Sequence, residues 1–257
     1  MNSHHDPRTK PVSRKIYLLP NLFTTGNMFC GFLSIIFAIQ QQYDNAAWII
    51  IVGAFFDSMD GRLARLTRST SSFGVEYDSL ADLVSFGMAP AYLAYLWGLQ
   101  SFGRLGWMVG FLYLTCAALR LARFNVMAGT APKGFFTGLP SPVAAGVVCT
   151  SVLFYNEMSL ELPHHWFVAP AVIATAVLMV STVHFPSFKG FKLTRENSFG
   201  ILAFVVLVMT LIAVRPEVTL FLINVVYVVL SLLGDLVRVL WGRRIPKAVG
   251  IPHENAK

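Results

Sequence analysis

The chain has 257 residues, 55% of them hydrophobic and only 13% charged, with a mean hydropathy of +0.61. That balance excludes an ordinary soluble domain, in which about a quarter of residues carry charge, and marks a polytopic membrane protein. The formal charge of +7 does not point to nucleic acid, because the basic residues sit in short clusters between apolar segments, where they report topology.

Residues 1–15 are polar and basic, with Arg8, Lys10, Arg14 and Lys15, and no small-residue cleavage site follows the first apolar stretch, which argues against a removed signal peptide. Ile16 to Leu19, ahead of Pro20-Asn21, reads as an interfacial amphipathic turn. The first helix is predicted from Asn21 to Gln40 and the second from Asn45 to Thr67. A polar connection follows, Thr67 to Tyr77, in which Ser69, Thr70, Ser71 and Ser72 cluster. Further helices are predicted over Tyr77 to Leu99, Leu105 to Asn125, Pro140 to Tyr155, Trp166 to Phe185, Ser198 to Val214 and Val218 to Trp241. Each is near the ~20 residues that cross a hydrocarbon core, the fifth and seventh being short. The expected fold is therefore all-α: a polytopic membrane bundle of about eight transmembrane helices in a single domain, residues 1–257, with a polar juxtamembrane segment (1–19) and a cytoplasmic tail (243–257).

With the N-terminus inside, Arg8 to Lys15, Arg62 to Arg68, Arg120 to Lys133, Lys189 to Arg195 and Arg238 to Lys257 share one side. Of the 20 Lys and Arg residues, only Arg104 and Arg215 fall on the other. Both termini are expected in the cytoplasm on this pattern. Cys30, Cys116 and Cys149 lie in apolar stretches without CxxC spacing and read as reduced packing residues.

The second and third helices carry the chemistry. Asp57 and Asp60 are three apart, Asp78 and Asp82 four apart, so each pair projects from one helical face. Two such helix ends facing each other present four carboxylates to one small volume, and these cannot all stay ionised without a cation. An all-oxygen set with no Cys or His suits Mg²⁺ or Mn²⁺ before Zn²⁺. Gly61 and Gly74 let backbone approach a ligand. Arg65, with Arg62 and Arg68, can meet phosphate oxygens through a planar fork of donors. The residues alone thus describe a divalent-metal, diphosphate-handling membrane site. For any one position the bland alternative is an Asp paired with an Arg, or a cytoplasmic basic flank.

At all eight defining positions the stretch matches D-x2-D-G-x2-A-R-x8-G-x3-D-x3-D, from Asp57 to Asp82, and so resembles the CDP-alcohol phosphotransferase family. The resemblance implies transfer of a phosphatidyl or similar group from a CDP-activated donor to an alcohol, with release of CMP, at a dimetal site inside a helical membrane protein. Arg120-Leu121-Ala122-Arg123-Phe124-Asn125, Gly138-Leu139-Pro140-Ser141-Pro142, Pro20-Asn21…Asn27…Gly31 and Val180-Ser181-Thr182…Ser187-Phe188-Lys189 are similar to the branch using CDP-diacylglycerol and L-serine, the phosphatidylserine synthases. On this resemblance Asp57, Asp60, Asp78 and Asp82 would hold two Mg²⁺ or Mn²⁺ ions, and Asp82 would also be the general base. Gly61, Ala64, Arg65, Thr70 and Gly74, with Asn27, would bind CDP-diacylglycerol; Arg120, Arg123 and Asn125 would bind serine. It further implies a homodimer in a prokaryotic cytoplasmic (inner) membrane, with the active site facing the cytoplasm.

Alternatives stay open at this point. Arg120 and Arg123 share a helical face and suit an anion or an ordinary basic flank equally well. Asn27 either meets the nucleotide or bonds a neighbouring helix. Phe135 to Pro142 reads as a turn and helix start, Lys133, Lys189 and Lys192 as lipid-facing, and His184 as no metal ligand. Within the same chemistry, glycerol phosphate or inositol phosphate as acceptor would favour an extra basic cluster and choline an aromatic cage, and neither replaces Arg120 and Arg123 convincingly. A prenyltransferase would place its two Asp motifs far apart in the chain, and a transporter with an intramembrane ion path needs neither the glycines nor the arginine.

Overall fold

The computed structural model describes residues 14–66, 71–127, 135–159, 164–186 and 198–241. Within them run eight long helices: α1 (Arg14–Ile39), α2 (Tyr43–Leu66), α3 (Ser72–Trp97), α4 (Arg104–Met127), α5 (Ser141–Glu157), α6 (His164–Val180), α7 (Ser198–Val214) and α8 (Pro216–Leu240). Among the described residues, four segments are long and apolar enough to cross a membrane: Leu19–Ile39, Ser72–Trp97, Arg104–Met127 and Pro216–Arg238. The 24-residue α2 is less apolar because Asp57, Asp60, Arg62 and Arg65 fall in its last ten residues. At 17 residues each, α5, α6 and α7 are shorter.

Small residues bring the helices together. Ala46, Ala47, Ala89, Ala94, Ala117 and Ala144 are fully buried in the core. Lipid tails are as apolar as leucine, so membrane helices gain from close backbone approach more than from large side chains. Gly31 on α1 is a close example: an added Cβ would lie 2.7 Å from Ser85 Cα on α3. Successive long helices reverse direction. The starts of α1, α3 and α5 therefore share one end with the finishes of α2, α4, α6 and α8. At the opposite end Asn156 donates to Asp44 at 2.7 Å and Arg215 pairs with Glu157.

Several boundaries differ from the sequence expectation. α1 passes through Pro20 without breaking; apolar surroundings penalise open backbone and favour a continuous helix. α3 begins at Ser72 rather than Tyr77, because Ser71 caps it by accepting from the Gly74 N–H at 3.0 Å. Its interior changes pitch, from α over Ser72–Asp82 to π over Leu83–Met88 and back to α over Ala89–Trp97. π segments often mark functional positions, and this one starts immediately after Asp82.

α6 stops at Val180, short of the expected Phe185. Ser181 turns its hydroxyl onto the Leu178 carbonyl at 2.8 Å, and Pro186 disfavours helical backbone at the residue before it. His184–Pro186 instead forms a strand, β2, antiparallel to β1 (Phe135–Thr137), with Phe136 opposite Phe185 and Thr137 opposite His184. This ribbon, absent from the all-α expectation, lies at the end of the bundle where α4 and α6 finish.

Candidate active site

The finish of α2 and the start of α3 face each other, bringing the four motif aspartates together. One oxygen from each of Asp57, Asp60 and Asp78 lies within 4.8 Å of the other two. Asp57 meets Asp82, and Asp60 meets Asp78, within hydrogen-bonding reach. α1 holds two of the four in place. The Thr24 hydroxyl donates to Asp60 Oδ2 at 2.9 Å, and the fully buried Asn27 donates from Nδ2 to Asp82 Oδ1 at 3.2 Å. Asn27 is itself braced by Ser85, which donates to its backbone carbonyl at 2.8 Å.

Among the described residues, no lysine or arginine forms an ion pair with any of the four carboxylates. Asp78 Oδ1 is buried with no hydrogen-bond partner. Oxygens crowded this closely, one of them orphaned, are what a hard divalent cation requires, and the Asp57–Asp60–Asp78 triad fits a metal ion.

A cavity of about 170 Å³ opens beside Asp60 and Asp78, walled by Gly61, Ala64, Arg65 and Gly74 and closed on the α1 side by Asn21 and Thr24. It brings together four of the residues expected to bind the nucleotide diphosphate. Thr70 lies outside the described residues. Asn27 is not on this wall; it reaches its neighbouring helix, at Asp82.

The two arginines of α4 diverge. Arg120 is 9% exposed, donates from Nη1 to Ser141 Oγ at 2.7 Å, and keeps a buried Nε with no partner. It lies within electrostatic reach of Asp82 and Asp57. A buried guanidinium with a spare donor beside carboxylates suits an anionic ligand group. Arg123 instead donates to the backbone carbonyls of Thr137, Met179 and Val180. Asn125 donates to Ser79 Oγ at 3.0 Å on α3. Arg123 and Asn125, expected to hold an acceptor alongside Arg120, are thus both engaged with protein groups. His184 finds its partner in Asp235 on α8, with Nδ1 and Oδ1 3.3 Å apart.

Thr24, Ser85 and Ser141 escaped the sequence reading as site residues. A signal existed for the first: Thr24, Asn27 and Gly31 put two polar residues and one without a side chain on a single face of an apolar helix. Beneath the charged cluster, a cleft of about 210 Å³ runs between α2, α3, α5 and α8, lined by Ile50, Ala54, Phe86, Val143, Gly146 and Leu220. Ala54 is about one turn from Asp57 and Phe86 about one turn from Asp82, so the cleft leads away from the carboxylates along mainly apolar walls, with Thr150 and Asn224 its polar residues.

Compared with known proteins, residues 17–185 match the profile described as CDP-alcohol phosphatidyltransferase. The chain is 40% identical over 202 residues to the CDP-diacylglycerol–serine O-phosphatidyltransferase of Helicobacter pylori (strain ATCC 700392 / 26695), covering 78% of this chain and 84% of that one. It is 38% identical over 176 residues to the archaetidylserine synthase of Methanothermobacter thermautotrophicus, covering 67% and 71%. With the CDP-diacylglycerol–serine O-phosphatidyltransferase of Bacillus subtilis (strain 168) it shares 35% identity over 179 residues, covering 70% and 94%.

Proposed function

The chain belongs to the CDP-alcohol phosphatidyltransferase family, and from that premise we propose that it transfers the phosphatidyl group of CDP-diacylglycerol to the hydroxyl of L-serine, releasing CMP. Membership in this enzyme family removes the transporter and prenyltransferase alternatives. One observation carries the choice of acceptor: buried Arg120, with its spare Nε donor, sits beside the four-carboxylate cluster, where a serine carboxylate would meet it. The names of all three relatives above contain serine.

Asp57, Asp60 and Asp78, with Asp82, would hold Mg²⁺ or Mn²⁺, two ions on the family pattern. Once bound, the ions would neutralise the donor diphosphate and polarise its phosphorus. The rest falls to the chain's own side chains. Gly61, Ala64, Arg65 and Gly74 wall the cavity for the CDP diphosphate, with Arg65 donating to phosphate oxygens. Arg120 holds the serine carboxylate and so fixes where the hydroxyl points. Asp82, oriented by Asn27, accepts the hydroxyl proton as the serine oxygen bonds to the lipid-side phosphorus. The bond from that phosphorus to the bridging oxygen breaks, and the oxygen leaves on CMP. The apolar cleft beneath the cluster would take an acyl chain of the donor.

The positive-inside pattern supports eight crossings with both termini and the carboxylate cluster at the cytoplasmic face. A homodimer in a prokaryotic inner membrane completes the proposal.

The test is CMP release by purified protein in detergent with CDP-diacylglycerol and Mg²⁺ or Mn²⁺, comparing L-serine, glycerol 3-phosphate, inositol phosphate, choline and no acceptor. Serine-dependent release that a chelator abolishes is the expected result. Release only with another acceptor would keep the phosphatidyl transfer and discard serine.

A further inference from the structure

Arg120 and Arg123 leave the same face of α4 but act on different partners. Arg123 Nη2 donates to Thr137 O at 2.7 Å and Met179 O at 3.2 Å, and Nη1 to Val180 O at 3.2 Å. Met179 and Val180 end α6, whose last carbonyls have no helical partner and carry the negative end of the helix dipole. Thr137 ends β1. One guanidinium thus ties together α4, α6 and the ribbon.

The next residues continue the connection. Gly138 has φ of +80° and donates to Val183 O at 2.8 Å, and Leu139 donates to Leu178 O at 3.0 Å. A Cβ on Gly138 would meet Met179 O at 2.3 Å and Arg123 Nη2 at 2.6 Å, so no other residue allows the segment this close. Two residues past Leu139, Ser141 accepts from Arg120 at 2.7 Å.

We propose that Arg123 is a positioning residue for the acceptor subsite: it latches Thr137–Ser141 onto the end of α6 and thereby fixes Ser141 as the partner that aims Arg120. Arg123 touches no substrate. The inference rests on reading Arg120 as the acceptor's anchor, and it assigns charge recognition to Arg120 and segment geometry to Arg123.

The experiment combines amide hydrogen exchange with CMP-release kinetics on the full-length protein in detergent, for Arg123→Ala, Arg123→Lys, Gly138→Ala and Arg120→Gln. Arg123→Ala and Gly138→Ala should each speed exchange across 137–141 and raise the acceptor KM about tenfold, with the CDP-diacylglycerol KM held within about threefold. Arg123→Lys, which still offers donors to the carbonyls, should recover most of both. Arg120→Gln should raise the acceptor KM while leaving exchange native. Gly138→Ala is the sharpest case because it loosens the latch with the Arg123 charge intact. Fast exchange there with a native acceptor KM overturns the proposal, as does any Arg123 variant whose acceptor KM rises while exchange stays native. The KM is read for whichever acceptor the protein uses, so failure of the serine assignment leaves this test standing. An unchanged acceptor KM in Arg120→Gln removes the anchor reading, while the exchange data still report on the latch.

Discussion

Asp82 differs from the other three motif aspartates in its neighbours: it takes a hydrogen bond from the buried Asn27 amide and pairs with Asp57 rather than joining the triad of closest oxygens. If it is the base, Asp82→Asn should lower kcat by about 10²–10⁴ while CDP-diacylglycerol still binds, as measured by calorimetry in detergent. Near-native turnover would end the assignment. Thr24 has a milder role. Replacing its hydroxyl in Thr24→Val removes one donor from Asp60, a loss of about 1 kcal/mol. That should raise the Mn²⁺ concentration for half-maximal CMP release by about fivefold, and an unchanged metal requirement would show that the Thr24 bond does not tune the site. The aspartates were legible in the sequence because their spacing falls within one helical hairpin, where local geometry alone brings them together. The duties of Thr24, Ser141 and Arg123 were not, since each depends on which helix end lies opposite, and spacing along the chain is silent about that.

Elements carry the site through their irregularities. The π segment of α3 packs where Gly31 removes a side chain from α1, and Ser85 within it braces Asn27, which in turn holds Asp82. Gly31→Val should therefore push α1 and α3 apart at the turn that orients the proposed base. Overpacking of this kind typically costs about 1–3 kcal/mol, so both the thermal midpoint in detergent and kcat should fall. A lowered midpoint with native kcat would mean that the helix contact is structural only. The helices themselves were readable from apolar length, and their order matches the expectation. The π pitch and the ribbon were not readable. A π turn has no composition of its own, and three-residue strands such as Phe135–Thr137 exist only because a partner far along the chain, His184–Pro186, meets them.

Across the whole molecule, charge and length disagree about α2, and the disagreement is informative. Its 24 residues extend about 36 Å at 1.5 Å per residue, enough for a core about 30 Å thick, yet its last ten residues carry the first half of the motif. A helix can cross with carboxylates at membrane depth when they face a cavity with polar partners rather than lipid, and Asp60 lines a cavity here beside Asn21, Thr24 and Arg65. By length α2 can thus cross despite its charged end. Labelling tests whether it does. Cys30, Cys116 and Cys149 are all buried, so the native protein should react little with a membrane-impermeant maleimide. Gln41→Cys, before α2, and Ser72→Cys, after it, each place a thiol at an exposed position. With the carboxylates on the cytoplasmic side, Ser72→Cys should label only in inside-out vesicles and Gln41→Cys only in right-side-out ones. Labelling of both from one side would mean that α2 does not cross. If that side is the outer one, the cluster, the latch and the cytoplasmic assignment would have to be turned over together.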